Sequence, residues 1–318
     1  MSTCRFLPTL HERKKIPFRR KKRIAGRLAG ALKLQCVEEN PMLKRKKTLG
    51  LALGGGAVRG FAHLGVLKVL GEVGIKPDYV AGTSAGSLIG ALYCAGRSWK
   101  EIAEKALDAN WRDFVSAALP SRGLVKADGL ERIVEEFLGD PDFADLKTPF
   151  AAVAVDLTSG RQKVFRDGAV ARAVRASCSI PGIFVPYTEG DAVYVDGGVL
   201  NSVPADVVRE MGADYVIAVD LNDSPLDETV VPKNIVEVVF RSFMIMMRTG
   251  TNQGARSADL LIRPDLEGFS YVDMSRKDEM IERGKEAMLR GLPKIARKLP
   301  TEIRKNVPKD QIKALGKA

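Results

Sequence analysis

The 318-residue sequence predicts an α/β fold in which helices cover both faces of a mainly parallel sheet. Short apolar segments alternate with longer segments of helical periodicity from Thr48 to Arg263, as repeated strand–helix units require. The segment Tyr215–Asp220 is a continuous apolar run, typical of a strand buried on both faces. Turn residues follow the strands that end near Gly54, Ser84 and Asp196, where parallel sheets place their binding sites.

The elements follow one another in a regular order, and Asp128 is a suitable N-cap for one of the helices. Seven segments have the length and apolar character of strands, namely Thr48–Leu53, Asp78–Ala81, Phe150–Asp156, Gln162–Phe165, Val193–Asp196, Tyr215–Asp220 and Leu260–Arg263. Six segments have helical periodicity, namely Arg59–Val73, Ser84–Ala95, Trp99–Asn110, Asp128–Leu138, Val170–Ser177 and Val203–Met211. The third and fourth strands form a hairpin around Thr158-Ser159-Gly160.

Charge divides the chain into three parts. Residues 1–47 contain 15 Lys and Arg against 3 acidic residues, and residues 276–318 contain 13 against 6. The central residues 48–275 contain 22 against 30, although the whole chain has a net charge of +11. We therefore predict a basic N-terminal arm that is flexible or lies on a membrane surface, a central domain, and a basic C-terminal helical segment packed on that domain or extending from it.

The basic ends suggest a polyanionic partner. An anionic membrane surface fits this charge, and a purely solubilising tail is the alternative. Nucleic acid is disfavoured because the sequence has no zinc-finger spacing, RNP-type pattern or clear helix-turn-helix. No apolar stretch approaches the ~20 residues of a spanning helix, and no secretory signal is apparent. The four scattered cysteines predict reduced thiols and no zinc site, so we expect a cytoplasmic protein that can associate with the inner membrane face.

The most informative motif is a Gly-x-Ser-x-Gly at a strand–helix junction. Gly82 and Gly86 flank Ser84, which follows an apolar strand and precedes a helix-like run. The glycines allow a sharp turn and leave room for a substrate, and the turn directs the serine hydroxyl out of the sheet toward the positive end of the helix. This arrangement predicts Ser84 as a nucleophile.

A glycine-rich loop lies upstream of this motif. Gly54, Gly55 and Gly56 follow the first strand, and Arg59 precedes an apolar helix. Consecutive backbone amides before a helix favour a bound anion, which suits the oxyanion of an acyl-transfer intermediate. Arg59 either adds a fixed positive charge or clamps the loop through its guanidinium. A dinucleotide loop is disfavoured because the expected acidic residue is absent from the end of the next strand.

The base is predicted by elimination. A Ser-His-Asp triad in α/β-hydrolase order needs a histidine late in the chain, but His11 and His63 are the only two. Asp196, followed by Gly197 and Gly198, comes after a short strand and before a tight turn. We therefore predict a Ser–Asp pair whose carboxylate works best if burial raises its pKa from the ordinary value of about 3.9. His63 is interpreted as structural, with contact to the site as the alternative, and Cys178 is interpreted as a small buried apolar residue.

These motifs together resemble the patatin-like phospholipases. The likeness rests on Gly-Gly-Gly-x-Arg-Gly, Gly-x-Ser-x-Gly and Asp-Gly-Gly in that order, and it includes the block Ala176–Pro186. The resemblance implies a three-layer α/β/α sandwich and hydrolysis of phospholipid or other lipid esters without a metal or other cofactor. It implies Ser84 as nucleophile, Asp196 as base, and Gly54, Gly55, Gly56 and Arg59 as the oxyanion loop.

Some alternatives remain open at the level of sequence. The chain could be a membrane-associated regulator or adaptor of the same fold with little hydrolysis, and its oligomeric state is undetermined. The segment Trp111–Lys126 could line or cover the pocket. The apolar, methionine-rich segment Ile235–Met247 is most simply a core helix, and a lid or a membrane contact is the alternative.

Overall fold

The computed structural model describes residues 47–108, 110, 113, 116–117, 125–126, 128–224 and 231–296. The predictions for the N-terminal arm, for residues 297–318 and for most of Trp111–Lys126 therefore lie outside the described residues, and Lys47 is the only described residue of the arm. No described helix combines the length and the apolar character that crossing a bilayer demands.

Ten strands and eight α-helices are described. The strands are β1 (Leu49–Leu53), β2 (Tyr79–Thr83), β3 (Ser116–Ala117), β4 (Val125–Lys126), β5 (Phe150–Asp156), β6 (Arg161–Phe165), β7 (Tyr187–Glu189), β8 (Ala192–Asp196), β9 (Tyr215–Val219) and β10 (Leu260–Ile262). The helices are α1 (Phe61–Val73), α2 (Ala85–Cys94), α3 (Trp99–Asp108), α4 (Asp128–Leu138), α5 (Val170–Ser177), α6 (Ala205–Glu210), α7 (Ile235–Gly254) and α8 (Lys277–Ala296). Short 3-10 helices include Ala57–Gly60 and Gly197–Val199.

The central sheet is parallel over five strands, in the order β10-β9-β1-β2-β5. Strands β6 and β8 both pair antiparallel with β5, and β7 pairs antiparallel with β8. The sheet is thus mixed, as is common when antiparallel strands join a parallel sheet at its edge. The sequence missed β7, a short strand with little apolar character.

The two faces of the sheet differ in side-chain size. Leu51 and Leu53 of β1 point into a large core formed with most of the helices, whereas Ala52 points to a smaller one. That second core is built around α6 from small residues, among them Ala81, Ala151 and Ala218. Residues of alternating size along each strand therefore place helices on both faces, which gives the predicted three-layer arrangement.

Helix α8 packs closely along α1. A Cβ atom added at Gly65 of α1 would lie 1.9 Å from the carbonyl oxygen of Ile281, and one added at Gly284 would lie 1.8 Å from that of Ala62. Only glycine allows the two backbones to approach this far. The C-terminal helical segment therefore lies on the domain as far as residue 296, and it buries Met288 and Leu292 in the core.

Strand β8 reaches the site in a way that the sequence analysis did not foresee. Strand β2 pairs with residues 150–153 of β5, and β8 pairs with residues 154–156. Because β6 occupies the opposite edge of β5, β2 and β8 share one edge and meet end to end. Asp196 ends a strand, as the sequence predicts, but β8 runs antiparallel to β5 and its end faces the carboxyl end of β2.

Candidate active site

Ser84 occupies a strained turn between β2 and α2. Its backbone angles are φ 53° and ψ −125°, a positive φ that non-glycine residues rarely adopt. The flanking glycines are required by close contacts: a Cβ at Gly82 would lie 2.3 Å from the carbonyl oxygen of Gly86, and one at Gly86 would lie 2.1 Å from that of Leu53. Such strain costs on the order of 1–3 kcal/mol and persists only where the surroundings enforce it.

The backbone around Ser84 is held by a second serine. The Ser84 amide donates to Ser177 Oγ over 2.9 Å, and Ser177 Oγ donates to the Val153 carbonyl over 2.6 Å. Ser87 Oγ donates to the Ser84 carbonyl over 2.7 Å. The main chain of Ser84 is therefore fully engaged, and its side-chain hydroxyl is the group available for chemistry. Ser177 belongs to a block that the sequence analysis quoted, but its positioning role was missed.

Asp196 is brought to Ser84 by the end-to-end meeting of β8 and β2. Thr83 pairs with Val153 and Asp196 pairs with the next residue, Ala154. The chain turns sharply after Asp196, and a Cβ at Gly197 would lie 2.3 Å from the Val153 carbonyl oxygen. The Asp196 amide donates to the Ser179 carbonyl over 2.9 Å.

The Asp196 carboxylate has one bound and one open oxygen. The Gly198 amide donates to Oδ1 over 2.8 Å, whereas Oδ2 has no hydrogen-bond partner among the described residues. Full burial raises the pKa of Asp196 to about 7, and the nearby Ser84 hydroxyl and the Gly198 amide partly offset this rise. The Ser84 hydroxyl thus influences the carboxylate without an ordinary hydrogen bond to Oδ2, as happens in free enzymes whose catalytic contacts tighten on binding.

The glycine-rich loop offers fewer free amides than the sequence suggested. The Gly54 amide donates to the Val219 carbonyl over 3.0 Å, and the Gly55 amide donates to the Ser202 carbonyl over 2.9 Å. Within the described part of the chain, the amides of Gly56 and Ala57 donate no hydrogen bond. Ala57 also has a positive φ of 48° and lines the same cavity as Ser84. Gly54 and Gly55 therefore shape the loop, and the free donors are Gly56 and Ala57.

The Arg59 side chain is held by contacts within the protein. Its Nε and Nη2 donate to the Phe269 carbonyl over 3.1 and 2.8 Å, and its Nη1 donates to the Leu221 carbonyl over 3.3 Å. Nη1 also donates to the Tyr271 hydroxyl over 2.9 Å, and the guanidinium lies 3.9 Å from the Tyr271 ring centre. These contacts agree with the clamp, one of the two roles that the sequence predicts for Arg59, because buried carbonyl groups engage its donors.

Two further side chains hold the loop by its carbonyl groups. Asn222 Nδ2 donates to the Gly55 carbonyl over 2.8 Å, and His63 Nε2 donates to the Gly54 carbonyl over 2.8 Å. Burial lowers the pKa of His63 to about 4, so the ring is neutral near pH 7. His63 therefore contacts the loop, as the alternative interpretation allows, and a purely structural role for it stays a prediction. The only sequence feature near Asn222 is the continuous apolar strand β9 that precedes it.

An apolar cavity of about 120 Å³ opens beside Ser84. Its lining is apolar apart from Ser84 and Cys178, and comprises Ala57, Val58, Gly60, Phe61, Ala85, Leu88, Ile89, Ala106, Leu130, Ile180, Phe184 and Met274. A larger cavity of about 340 Å³ borders it through Leu88, Ile89 and Ala106. Burial raises the pKa of the Cys178 thiol to about 12, which agrees with its interpretation as a small apolar residue.

Known proteins share the part of the chain that builds this site. The family model described as Patatin-like phospholipase matches residues 51–209, half of the chain. The chain belongs to the patatin-like phospholipase family. The matched range of this patatin-like chain includes the glycine-rich loop, Ser84, Ser177 and Asp196, whereas Asn222 and the groups that bind the Arg59 side chain lie beyond it.

Curated relatives of this patatin-like chain include much longer proteins. Patatin-like phospholipase domain-containing protein 6 of Homo sapiens is 36% identical over 192 residues, which cover 57% of this chain and 14% of that protein. Patatin-like phospholipase domain-containing protein 7 of Rattus norvegicus is 29% identical over 74% of this chain and 20% of its own length. An uncharacterised NTE family protein of Mycobacterium tuberculosis is 29% identical over 76% of this chain and 46% of its own length. The chain thus spans less than half of these relatives.

A solved structure supports the fold independently of sequence. VipD from Legionella pneumophila aligns with a TM-score of 0.51 over 78% of this chain and 67% of its own. Sequence identity is 14%, so the likeness concerns the patatin-like fold alone.

Proposed function

We propose that this patatin-like chain hydrolyses carboxylic ester bonds of lipids, including phospholipids, with Ser84 as nucleophile and Asp196 as base. One observation carries the proposal: β2 and β8 meet end to end and bring a strained serine to a buried carboxylate. Family membership makes lipid the expected source of the ester. The raised pKa of about 7 suits a carboxylate that must accept and return a proton near neutral pH.

The reaction uses the open oxygen of Asp196 twice. As Ser84 Oγ attacks the ester carbonyl carbon, its proton passes to Asp196 Oδ2 and the carbonyl π electrons move to the oxygen. The tetrahedral intermediate then expels the alcohol oxygen, which takes the proton from Asp196 and leaves an acylated Ser84. Water then attacks the acyl carbon while Asp196 accepts its proton. The fatty acid is released as Ser84 Oγ takes that proton back, which regenerates the serine.

The negative oxygen of the intermediate needs preorganised donors. The free amides of Gly56 and Ala57 are the proposed donors, because those of Gly54, Gly55 and Ser84 are already engaged within the protein. One such donor is worth roughly 10²–10³ in kcat. The N-terminus of α2 directly follows Ser84 and adds a favourable dipole.

The apolar cavity beside Ser84 is the proposed site of the acyl chain. Apolar lining with few polar groups is typical of pockets that bind apolar ligands.

Turnover and covalent labelling test this function. Purified full-length protein is assayed with p-nitrophenyl butyrate and with phosphatidylcholine, alongside Ser84→Ala and Asp196→Asn. Each variant should lower kcat at least about 10³-fold, because nucleophile and base act as one unit. A fluorophosphonate should label the peptide that contains residue 84 in the wild type and not in Ser84→Ala. The matched control Ser242→Ala removes an exposed hydroxyl of α7 and should react like the wild type.

The outcomes separate the enzyme from the regulator that the sequence leaves open. Equal turnover in the wild type and Ser84→Ala would exclude Ser84 as the nucleophile. Absence of both labelling and turnover in the wild type would favour a membrane-associated regulator or adaptor.

The basic arm, residues 1–47, is proposed to bring the domain to an anionic lipid surface. Sedimentation of the full chain with phosphatidylglycerol vesicles should fall as salt rises from about 0.1 M to about 0.5 M, since exposed charges are screened over that range. Binding to these vesicles that does not change with salt would contradict an electrostatic role for the arm.

A further inference from the structure

The outward side of α7 carries an unusual row of apolar side chains. Ile235, Val238, Ile245 and Met246 are exposed to 74%, 45%, 49% and 42% of their surface. Successive members of this row are three, seven and one residues apart, which places them on one side of the helix over about three turns. We refer to these four residues as the α7 stripe. Neighbouring exposed apolar residues in such a row need an explanation that single ones do not.

The opposite side of α7 is seated against the catalytic loops. Phe243, Met244 and Met247 are buried there. A Cβ at Gly198, next to the Asp196 turn, would lie 2.8 Å from Cγ of Met247, and one at Gly55 would lie 3.5 Å from its Cε. The stripe is therefore carried on a fixed element, at a distance of about one helix diameter, 10–12 Å, from the catalytic loops.

The polar groups of the exposed side are satisfied within the helix itself. Ser242 Oγ donates to the Val238 carbonyl over 2.8 Å, and Thr249 Oγ1 donates to the Met246 carbonyl over 2.8 Å. Between residues 238 and 249 the exposed side chains are those of Val238, Ser242, Ile245, Met246 and Thr249, none of which is charged, and Arg241 and Arg248 are partly buried. An exposed side without charged side chains over these residues is suited to the apolar boundary of a bilayer interface.

We propose that the α7 stripe docks the protein on the surface of a phospholipid bilayer, next to the site that removes the acyl chain. The inference rests on the proposed lipid hydrolysis, since a lipid ester has to leave its aggregate to reach Ser84. A helix lying in the interface places its apolar side about 5–10 Å into the headgroup region, which the four side chains can occupy. A protein partner would normally require about one hydrogen bond per 100–200 Å² of interface, and this side offers few groups to make them.

Vesicle binding tests the stripe directly. The full-length chain carries Ser84→Ala so that no lipid is consumed, and it is sedimented with phosphatidylcholine vesicles in about 0.5 M salt, which suppresses binding through the basic arm. Adding Ile245→Gln and Met246→Gln should weaken binding about tenfold or more, because apolar burial supplies the affinity. The matched control is Leu157→Gln, which changes a leucine exposed to 54% that follows β5, and it should change binding less than twofold. Unchanged binding in the double variant, or an equal loss in the control, would overturn the proposal.

Parallel assays distinguish this proposal from the proposed function. In chains that retain Ser84, the double variant should turn over soluble p-nitrophenyl butyrate like the wild type, yet lose about tenfold on phosphatidylcholine vesicles. If the wild type hydrolyses neither ester but binds vesicles through the stripe, the proposed function fails and the docking surface stands. If gel filtration shows a wild-type dimer that the double variant abolishes, a second copy covers the stripe and bilayer docking is wrong.

Because both residues of the pair are exposed, the double variant should keep the wild-type melting temperature within a few degrees. Val238→Gln, at an independent position of the stripe, should weaken vesicle binding in the same direction, and wild-type binding by this variant would also contradict the proposal.

Discussion

The turn at Ser84 and the loop at Gly54–Gly60 are built alike but expose opposite parts of the chain. Both connect neighbouring parallel strands to helices, and each contains one non-glycine residue with positive φ, Ser84 in the first and Ala57 in the second. At the turn, the backbone amide is bound and the side-chain hydroxyl is available. In the loop, the Arg59 side chain is bound and two backbone amides are available. One strained geometry thus leaves a side-chain hydroxyl available in one place and backbone amides in the other.

Breaking the turn itself should have the largest effect. Gly86→Ala adds a Cβ that would lie 2.1 Å from the Leu53 carbonyl oxygen, so the backbone of Ser84 has to move. We expect ester turnover to fall more than about 10³-fold and the melting temperature to drop by several degrees. Gly71→Ala is the matched control, since its Cβ would meet only Trp99 at an ordinary 3.4 Å. Wild-type turnover in Gly86→Ala would show that the close packing of this turn is not required.

Lowering the pH should cause the next largest loss of turnover. Asp196 can accept the Ser84 proton only when ionised, and burial raises its pKa to about 7. We expect kcat/KM to fall about tenfold for each pH unit below 7, or about a hundredfold at pH 5. His63→Gln can still donate to the Gly54 carbonyl and should keep the same midpoint, because His63 is already neutral there. A midpoint that shifts or disappears in His63→Gln would make the histidine part of the titrating unit.

Loosening the Arg59 clamp tests the loop separately from the turn. Arg59→Lys keeps the charge but loses most of the contacts to Phe269, Leu221 and Tyr271, so the free amides should become less well placed. We expect kcat to fall roughly 10- to 100-fold with KM little changed, as for a loss of transition-state contacts. Arg263→Lys changes a half-exposed arginine and serves as the control. A higher KM with unchanged kcat would instead indicate that Arg59 binds substrate.

Asp196→Asn should increase stability while it removes activity. The unfolded carboxyl ionises near its ordinary pKa of 3.8, but the folded one stays protonated up to about 7. Stability supplied by the protonated form is therefore lost as pH rises from about 4 to about 7. The melting temperature of the variant should exceed that of the wild type by roughly 3–10 °C at pH 8, with the gain shrinking toward pH 4. A gain that is equal at both pH values would mean that ionisation is not its cause.

Relieving the strain in the loop should have the smallest effect. Ala57→Gly removes the cost of a positive φ and keeps the backbone amide. It also raises the conformational entropy of the unfolded chain, which lowers stability. These two terms oppose each other, so the free energy of unfolding should change by less than about 1 kcal/mol. Denaturant titration measures this, and turnover should change less than about fivefold. A loss as large as that of Arg59→Lys would assign the methyl group of Ala57 a direct role in the cavity.

Local sequence signals predicted most elements and the strand–helix turn that carries the proposed nucleophile. Helix α5 was predicted with the bounds that the structure shows, and β5 likewise, because short-range periodicity and flanking turn residues define both. Ser84 and Asp196 were found because glycines next to them mark tight turns. By contrast, Ser177 and Asn222 were missed, since a lone serine or asparagine has no local feature that indicates a distant partner.

The sequence by itself determined the alternating strands and helices, the strained serine turn and the absence of a late histidine, because these depend on residues that are close together in the chain. Only the tertiary structure decided that β8 runs against β5 and ends opposite β2, that Gly56 and Ala57 keep the free amides, and that Arg59 faces inward. Each of these depends on partners more than a hundred residues away or on the register of a shared strand edge. Such partners are chosen by packing and hydrogen bonding of the whole domain, so no local pattern encodes them.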